Sequence, residues 1–380
     1  MPITVSAAFD AGNIELLAPP SPPGPDGRIE LRLRIRPDAD PAHYQWFYFR
    51  VAGARGLPLT LRIENAGGAS YPDAWEGTRA VVSVDRRRWT RAETAYAGGH
   101  LRITHSPEAD ACWYAYFAPY SLERHHDLVA RCVASGRVRH DVLGRTLDGR
   151  DLDRLVVGTG TRVLWVIGRQ HPGESMASWW MEGFLSRLLD PADALAGSLL
   201  ARATVHLVPH MNPDGAVRGH LRTNAAGANL NREWHEPSLT RSPEVLHVRD
   251  AMDASGVDLC LDVHGDEKLP YVFLSGAEGI PGWSPRLHAL QEAFATGYQR
   301  ANPDLQRVEG YPVDKPGEAL MSMCTNQVAQ RFDCLAYTLE MPFKDNALAP
   351  DPEQGWSPAR CERLGRSAVD ALAAVVDALR

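Results

Sequence analysis

The chain carries 47 acidic and 40 basic residues among 380, a formal charge of −7, and 44% of its residues are hydrophobic. That length predicts two or three domains at about 150 residues each, and the composition excludes disorder and fibrous repeats. With no basic excess to displace counterions, nucleic acid is excluded as a partner.

The first seventeen residues, MPITVSAAFDAGNIELL, have neither the basic nor the apolar region of a secretory signal. Nowhere do eighteen apolar residues run together, so no membrane span is expected. Six cysteines are scattered without a C-x-x-C spacing, which reads as reduced, buried thiols and not as a disulfide framework or a cysteine zinc site. The expected location is the cytoplasm. Short β-rich runs bounded by Gly, Pro and Asp then recur at 29–35, 45–51, 57–63, 80–84, 100–104 and 113–117. They predict an all-β sandwich domain over residues 1–125. From 126 to 380 strands alternate with helices. A strand is expected at 163–168 and a helix at 174–189, where Met176, Trp180, Phe184 and Leu188 recur every fourth residue. A strand at 204–208, a helix at 243–254 and strands at 257–263 and 271–274 follow. Helices at 285–298 and 318–330, a strand at 335–339 and a helix at 357–380 complete the pattern. This alternation predicts an α/β domain with a mostly parallel or mixed sheet, whose ligands gather at the carboxyl ends of the strands.

Polar residues unusual for a core stand just past those strand ends. His171 and Glu174 follow the first strand, His264 follows 257–263, and Glu340 closes 335–339. The i, i+3 spacing of His171 and Glu174 lets a ring nitrogen and a carboxylate oxygen reach one cation at ~2.0–2.2 Å, with His264 as a third ligand. Two histidines and one glutamate leave the fourth position of a catalytic zinc open. The same three residues could otherwise be a satisfied polar cluster, and H-x-x-E alone is a weak signal. Glu340 reads either as a strand-end salt-bridge partner or as a general base beside a metal. Arg222, Asn229, Asn231 and Arg232 lie in a Gly/Ala-rich segment suited to cradling an anion, because a guanidinium binds a carboxylate through two parallel hydrogen bonds.

Five ordered motifs then coincide: RQHPGES at 169–175, PHMNPDG at 209–215, AGANLNREW at 226–234, DVHG at 262–265 and YTLE at 337–340. On these the sequence resembles the zinc metallocarboxypeptidase family, most closely its cytosolic carboxypeptidase branch. Upstream, WFYFRV at 46–51 and FAPYS at 117–121 look like the β-sandwich domain that precedes the catalytic domain in that branch. The resemblance implies a mixed central sheet flanked by helices, and one zinc ion per chain bound by His171, Glu174 and His264. It implies that Glu340 is the general base and acid, that Arg222 polarises the scissile carbonyl and holds the oxyanion, and that Asn231 and Arg232 grip the terminal carboxylate of a peptide or protein tail. Asn229 stands where the family usually has Asp, so an uncharged amide oxygen is left to accept the N–H of His171. Members that remove C-terminal glutamate place a basic residue in the specificity pocket, and residues 321–327 contain none. Tyr311 is the candidate for the family's substrate-binding tyrosine.

Two alternatives stay open. A zinc deacylase or amidase acting on acylated amino acids or murein peptides would use the same ligands. A serine hydrolase would use Ser175, in a strand-to-helix turn like a nucleophile elbow, with Asp262 and His264 later in the chain. His125-His126 reads as a surface pair at the domain junction, and Trp179-Trp180 as core packing.

Overall fold

In the computed structural model, which describes residues 2–380, ten short strands come first. They are β1 (Thr4–Ser6), β2 (Glu15–Leu16), β3 (Ile29–Arg34), β4 (Tyr48–Ala52), β5 (Leu59–Ile63), β6 (Val81–Ser83), β7 (Thr90–Arg91), β8 (Glu93–Ala97), β9 (His100–His105) and β10 (Ala111–Ala115). They pair into two five-stranded sheets, in the orders β1-β4-β10-β6-β7 and β2-β3-β5-β9-β8. All pairs are antiparallel except β3 with β5. The two-residue period of a strand sets what is buried. In β3, Leu31 and Leu33 are fully covered while Arg32 and Arg34 face water, and in β9 Leu101 and Ile103 are buried around an exposed Arg102. These aliphatics share a core with the aromatic residues Phe47, Phe49, Trp75, Tyr114 and Tyr116.

The second part contains α1 (Leu122–Ala134), β11 (Val138–Arg145), β12 (Asp151–Val157), β13 (Arg162–Gly168), α2 (Met176–Leu188), α3 (Ala194–Arg202) and β14 (Ala203–Val208). After these come α4 (Pro213–Arg218), α5 (Pro243–Ser255), β15 (Leu259–Asp266), β16 (Phe273–Ser275), α6 (Pro285–Ala301), α7 (Cys324–Phe332), β17 (Leu335–Pro342) and α8 (Pro358–Val375). A seven-stranded sheet in the order β11-β12-β14-β13-β15-β17-β16 runs through it, parallel from β14 to β17 and antiparallel at both edges. β13 is apolar on both faces. Leu164 and Val166 pack with residues of α2, α3, α6 and α8, while Trp165 and Ile167 pack with residues of α5 and α7. On the first of these faces α2 meets α8 almost backbone to backbone. A Cβ on Gly183 would lie 2.0 Å from the Glu362 carbonyl oxygen, and one on Gly365 would lie 2.1 Å from that of Trp180. Among the described residues no helix is long and apolar enough to cross a membrane.

Several elements differ from the sequence reading. The run at 45–51 becomes a strand only at Tyr48, because the Gln45 amide instead pairs with both backbone groups of Tyr71. The helix expected from 318 begins at Cys324, after a turn that follows Pro316-Gly317. α1, β11, β12 and α3 were not anticipated. β11 shows why: its exposed Arg139, His140 and Arg145 break the apolar alternation of an edge strand.

α5 begins on Pro243, and its second residue, Glu244, is fully buried with one carboxylate oxygen unpartnered and the other accepting from Asn224 at 3.2 Å. Burial pushes this carboxyl up to about 7 from 4.5, partly opposed by backbone and Asn224 hydrogen bonds. The folded chain therefore keeps a proton that the unfolded chain releases, so stability falls as pH rises from 4.5 to 7 and stays reduced above that. At ~1.4 kcal/mol per unit the loss is about 3 kcal/mol. Glu244→Gln is expected to be more stable than the parent at pH 8 and to lose that advantage at pH 4.5, as read by urea unfolding. A constant difference across that range would refute the assignment.

Candidate active site

The carboxyl ends of β13, β15 and β17 bring the sequence-predicted residues together. A tight turn after β13 presents His171 and Glu174, with Gly173 N–H donating to the Leu221 carbonyl and Glu174 N–H to that of His171. α2 starts two residues later. β15 and β17 are parallel neighbours in which His264 lies directly opposite Glu340. Register partners leave a sheet on the same face, roughly 4.8 Å apart.

His171, Glu174 and His264 are buried, and one ligand atom from each lies within 4.8 Å of the others. His171 Nδ1 is 2.6 Å from Glu174 Oε1, His264 Nδ1 is 2.8 Å from Glu174 Oε2, and the two Nδ1 atoms are 3.2 Å apart. The outer nitrogens are already engaged. His171 Nε2 meets the Asn229 amide oxygen at 3.0 Å, and His264 Nε2 meets Asp262 at 2.9 Å. An acceptor on each Nε2 fixes its proton there and turns Nδ1 inward. Asp262 is held in turn by Gln170 at 2.6 Å, and Gln170 by the Trp234 indole at 2.8 Å.

The charges fit a cation at this point. Burial and then Arg222 lower His171 to about 4. Burial alone would raise Glu174, but the two imidazoles hold it far below the usual carboxylate range. Burial would likewise lower His264, yet Asp262 and Glu174 raise it well above its ordinary value. Two inward imidazole nitrogens 3.2 Å apart, against one carboxylate, form a donor set that a divalent ion satisfies.

Glu340 is buried, with Oε2 unpartnered and Oε1 accepting from the Tyr311 hydroxyl at 3.2 Å. The single proton of that hydroxyl is shared with Asp266, which it approaches more closely at 2.5 Å. Burial, reinforced by Glu174, Asp266 and Glu267 against His264, pushes Glu340 well above its ordinary value. Opposite stands a set of unneutralised cations. The guanidinium of Arg222 lies over the Tyr71 ring at 5.7 Å and makes no ion pair among the described residues. Arg232 is exposed and uses one nitrogen on the Asn231 carbonyl at 2.7 Å. The Asn231 side-chain oxygen accepts from Cys324 N at 2.8 Å, where α7 starts, which leaves its amide N–H groups for a ligand. Two guanidiniums without carboxylate partners beside a half-free amide make an anion cradle.

Ser175 does not join this group. Its buried hydroxyl donates to the Ala118 carbonyl at 2.9 Å, the same oxygen that accepts the Trp179 indole at 3.0 Å, and no histidine contacts it. The serine-hydrolase alternative is therefore set aside. His125 also departs from the surface reading, being buried and 2.9 Å from Asp153. Trp179 and Trp180 are core residues, as expected. The sequence reading missed Tyr71 and Glu267. Glu267 is buried and raised to about 8 by burial and then by Glu174. It follows His264 closely enough to have been suspected, whereas nothing near Tyr71 in sequence points to the site.

The chain matches the family described as cytosolic carboxypeptidase N-terminal domain over residues 5–117, and zinc carboxypeptidase over residues 129–359. It is 48% identical over 379 residues to an uncharacterised protein of Zymomonas mobilis, covering 100% of this chain and 98% of that one. It is 28% identical to cytosolic carboxypeptidase 4 of Mus musculus over 65% of this chain, but spans only 27% of that protein's length. Among solved structures, a metallo-carboxypeptidase of Burkholderia cenocepacia superposes with a TM-score of 0.94 at 43% identity, covering 99% of both chains. One from Pseudomonas aeruginosa, in complex with (2-guanidinoethylmercapto)succinic acid, gives 0.94 at 45% identity over 99% of this chain and 100% of the other.

Proposed function

The chain belongs to the zinc carboxypeptidase family, and from that premise we propose that it removes C-terminal residues from peptides or protein tails. In this reading His171, Glu174 and His264 hold the single zinc ion, Glu340 is the general base and acid, Arg222 holds the oxyanion, and Asn231 with Arg232 grips the terminal carboxylate. The observation that carries it is the pairing of a buried His-Glu-His cluster with a cradle of unpaired cations, set against a carboxylate with a free oxygen.

When bound, the zinc ion supplies Lewis acidity, which polarises the scissile carbonyl and brings the pKa of water at the site down toward ~7. Glu340 takes the proton of the attacking water on its unpartnered Oε2 and passes it to the leaving amine. Its Oε1 stays oriented by the Tyr311 hydroxyl. Arg222 offers N–H donors to the oxygen on which negative charge develops. Asn231 and Arg232 select a chain end, because only a chain end presents a free α-carboxylate. The carboxylate-bearing ligand of the Pseudomonas relative supports an anion-binding cleft.

In this reading residues 2–121 form the β unit and 122–380 the catalytic unit, so the junction expected at 125/126 moves to the start of α1 at Leu122. The six free, buried cysteines suit a reducing cytoplasm. Incubating the zinc-loaded protein with a C-terminally randomised peptide library, read by mass spectrometry, tests the activity: loss of single C-terminal residues is expected, and cleavage only inside chains or only of N-acyl groups would overturn it. Arg222→Ala is expected to lower kcat by ~10²–10³-fold, the usual effect of removing one oxyanion donor. A fall confined to KM would reassign Arg222 to substrate binding.

A further inference from the structure

Resting on the role just given to Arg222, a further residue enters from the other end of the chain. Asp38, in the loop between β3 and β4, is buried. Its carboxylate accepts three successive backbone N–H groups, from Leu221 on Oδ1 at 2.7 Å and from Arg222 and Thr223 on Oδ2 at 2.8 and 2.9 Å. The Thr223 hydroxyl adds a fourth bond at 3.2 Å. Successive amides turned toward one anion form a nest, and the donors at the buried Leu221 and Thr223 would otherwise be left unpaired away from water. The contact extends both ways along this segment. Upstream, Asn13 donates to the Gly219 carbonyl at 2.8 Å and Ala11 N–H to that of Val217 at 3.1 Å. Downstream, Gly227 adopts a φ of +78° with Asp40 N 3.0 Å from where a Cβ would stand.

The nest also reaches the metal turn. Leu221, whose N–H Asp38 holds, accepts Gly173 N–H at 2.8 Å on its carbonyl, and Gly173 sits between His171 and Glu174. Tyr71 completes the arrangement by placing its ring against the Arg222 guanidinium. Among the described residues no other acceptor takes the N–H groups of 221–223, and the Thr223 hydroxyl donates to the same carboxylate.

We propose that Asp38 is a positioning residue of the N-terminal β unit, which fixes the backbone of residues 221–223 so that Arg222 is aimed at the developing oxyanion. The β unit is then a working part of the active site and not only a neighbour. Asn at this position keeps the volume but loses one acceptor and turns an N–H₂ toward N–H donors.

The test is a double-mutant cycle on one peptide chosen from the randomised library, with zinc content and thermal midpoint measured on each protein. Asp38→Asn is expected to retain one zinc ion and to lower kcat by about 10–100-fold, the scale of a misplacement near 1 Å. In an Arg222→Ala background the same change is expected to alter kcat by less than about twofold. Asp38→Glu, which keeps the charge, is expected to recover part of the loss. An equal fall in both backgrounds, or no fall in the parent, would overturn the positioning role. If Asp38→Asn yields no folded protein, the same comparison is made with Asp38→Glu, and additivity there overturns it too. Unchanged turnover in Arg222→Ala alone would sink the arginine's own assignment, and this one with it, so the two failures are told apart.

Discussion

Glu340→Gln is expected to bind zinc as the parent does and to turn over ~10²–10⁴ times more slowly, the range for losing a general base. The substitution is nearly isosteric. A glutamine oxygen still accepts from Tyr311, as Oε1 does at 3.2 Å, so the strand end need not move. What disappears is a group that can take a proton and return it. Oε2 is buried with no protein partner among the described residues, so no second hydrogen bond is broken by replacing it with an amide. The loss should fall on kcat, with KM changed far less, because substrate binding rests on the arginine segment and not on β17. Steady-state kinetics with metal analysis on the same sample checks this. Full turnover at full zinc occupancy would remove Glu340 from the chemistry.

Removing the metal is expected to abolish activity and to lower thermal stability together. Lewis-acid stabilisation amounts to several kcal/mol, so stripped enzyme should be slower by at least ~10³-fold. At free zinc a hundredfold above Kd, binding to the folded chain alone adds about 2.7 kcal/mol of stability. Without an ion, the two Nδ1 atoms 3.2 Å apart depend on Glu174 and a proton to sit together. Dialysis against 1,10-phenanthroline followed by zinc should remove and then restore both turnover and the thermal midpoint. Glu174→Gln should reproduce the stripped state at ordinary zinc concentrations. An enzyme unaffected by either treatment would rule out the His-Glu-His assignment.

The clustering of the candidate residues was legible in the sequence where strand ends carry them. His171, Glu174, His264 and Glu340 each follow or close an apolar run, and a parallel sheet aligns such ends on one rim, so they were placeable without coordinates. The amide of Asn229 takes the outer nitrogen of His171, as its position in the motif suggested. The contributions of the β unit were not legible. Asp38 and Leu221 are 183 positions apart, and no local spacing announces a contact of that range. His125 was misread for a similar reason, since Asp153, the carboxylate that partners its ring, is 28 residues away on β12. Ser175 misled in the opposite direction. A strand-to-helix turn looks alike whether it presents a nucleophile or a metal ligand, and only the direction of the hydroxyl, toward Ala118, separates the two. Edge strands were missed because a charged edge such as β11 carries no apolar rhythm to find.

The near-contact of α2 and α8 at Gly183 and Gly365 bears on how this scaffold can diversify. With carbonyls where side chains would otherwise interleave, that seam has no slack, and α2 carries the ligand turn at its leading end. By contrast Val308 and Val313 stand exposed on the loop whose Tyr311 hydroxyl reaches Glu340, so substitutions at those two positions displace no packed neighbour. The α2–α8 seam therefore fixes where the ligand turn stands, while the loop around Tyr311 has room for change on either side of that one residue.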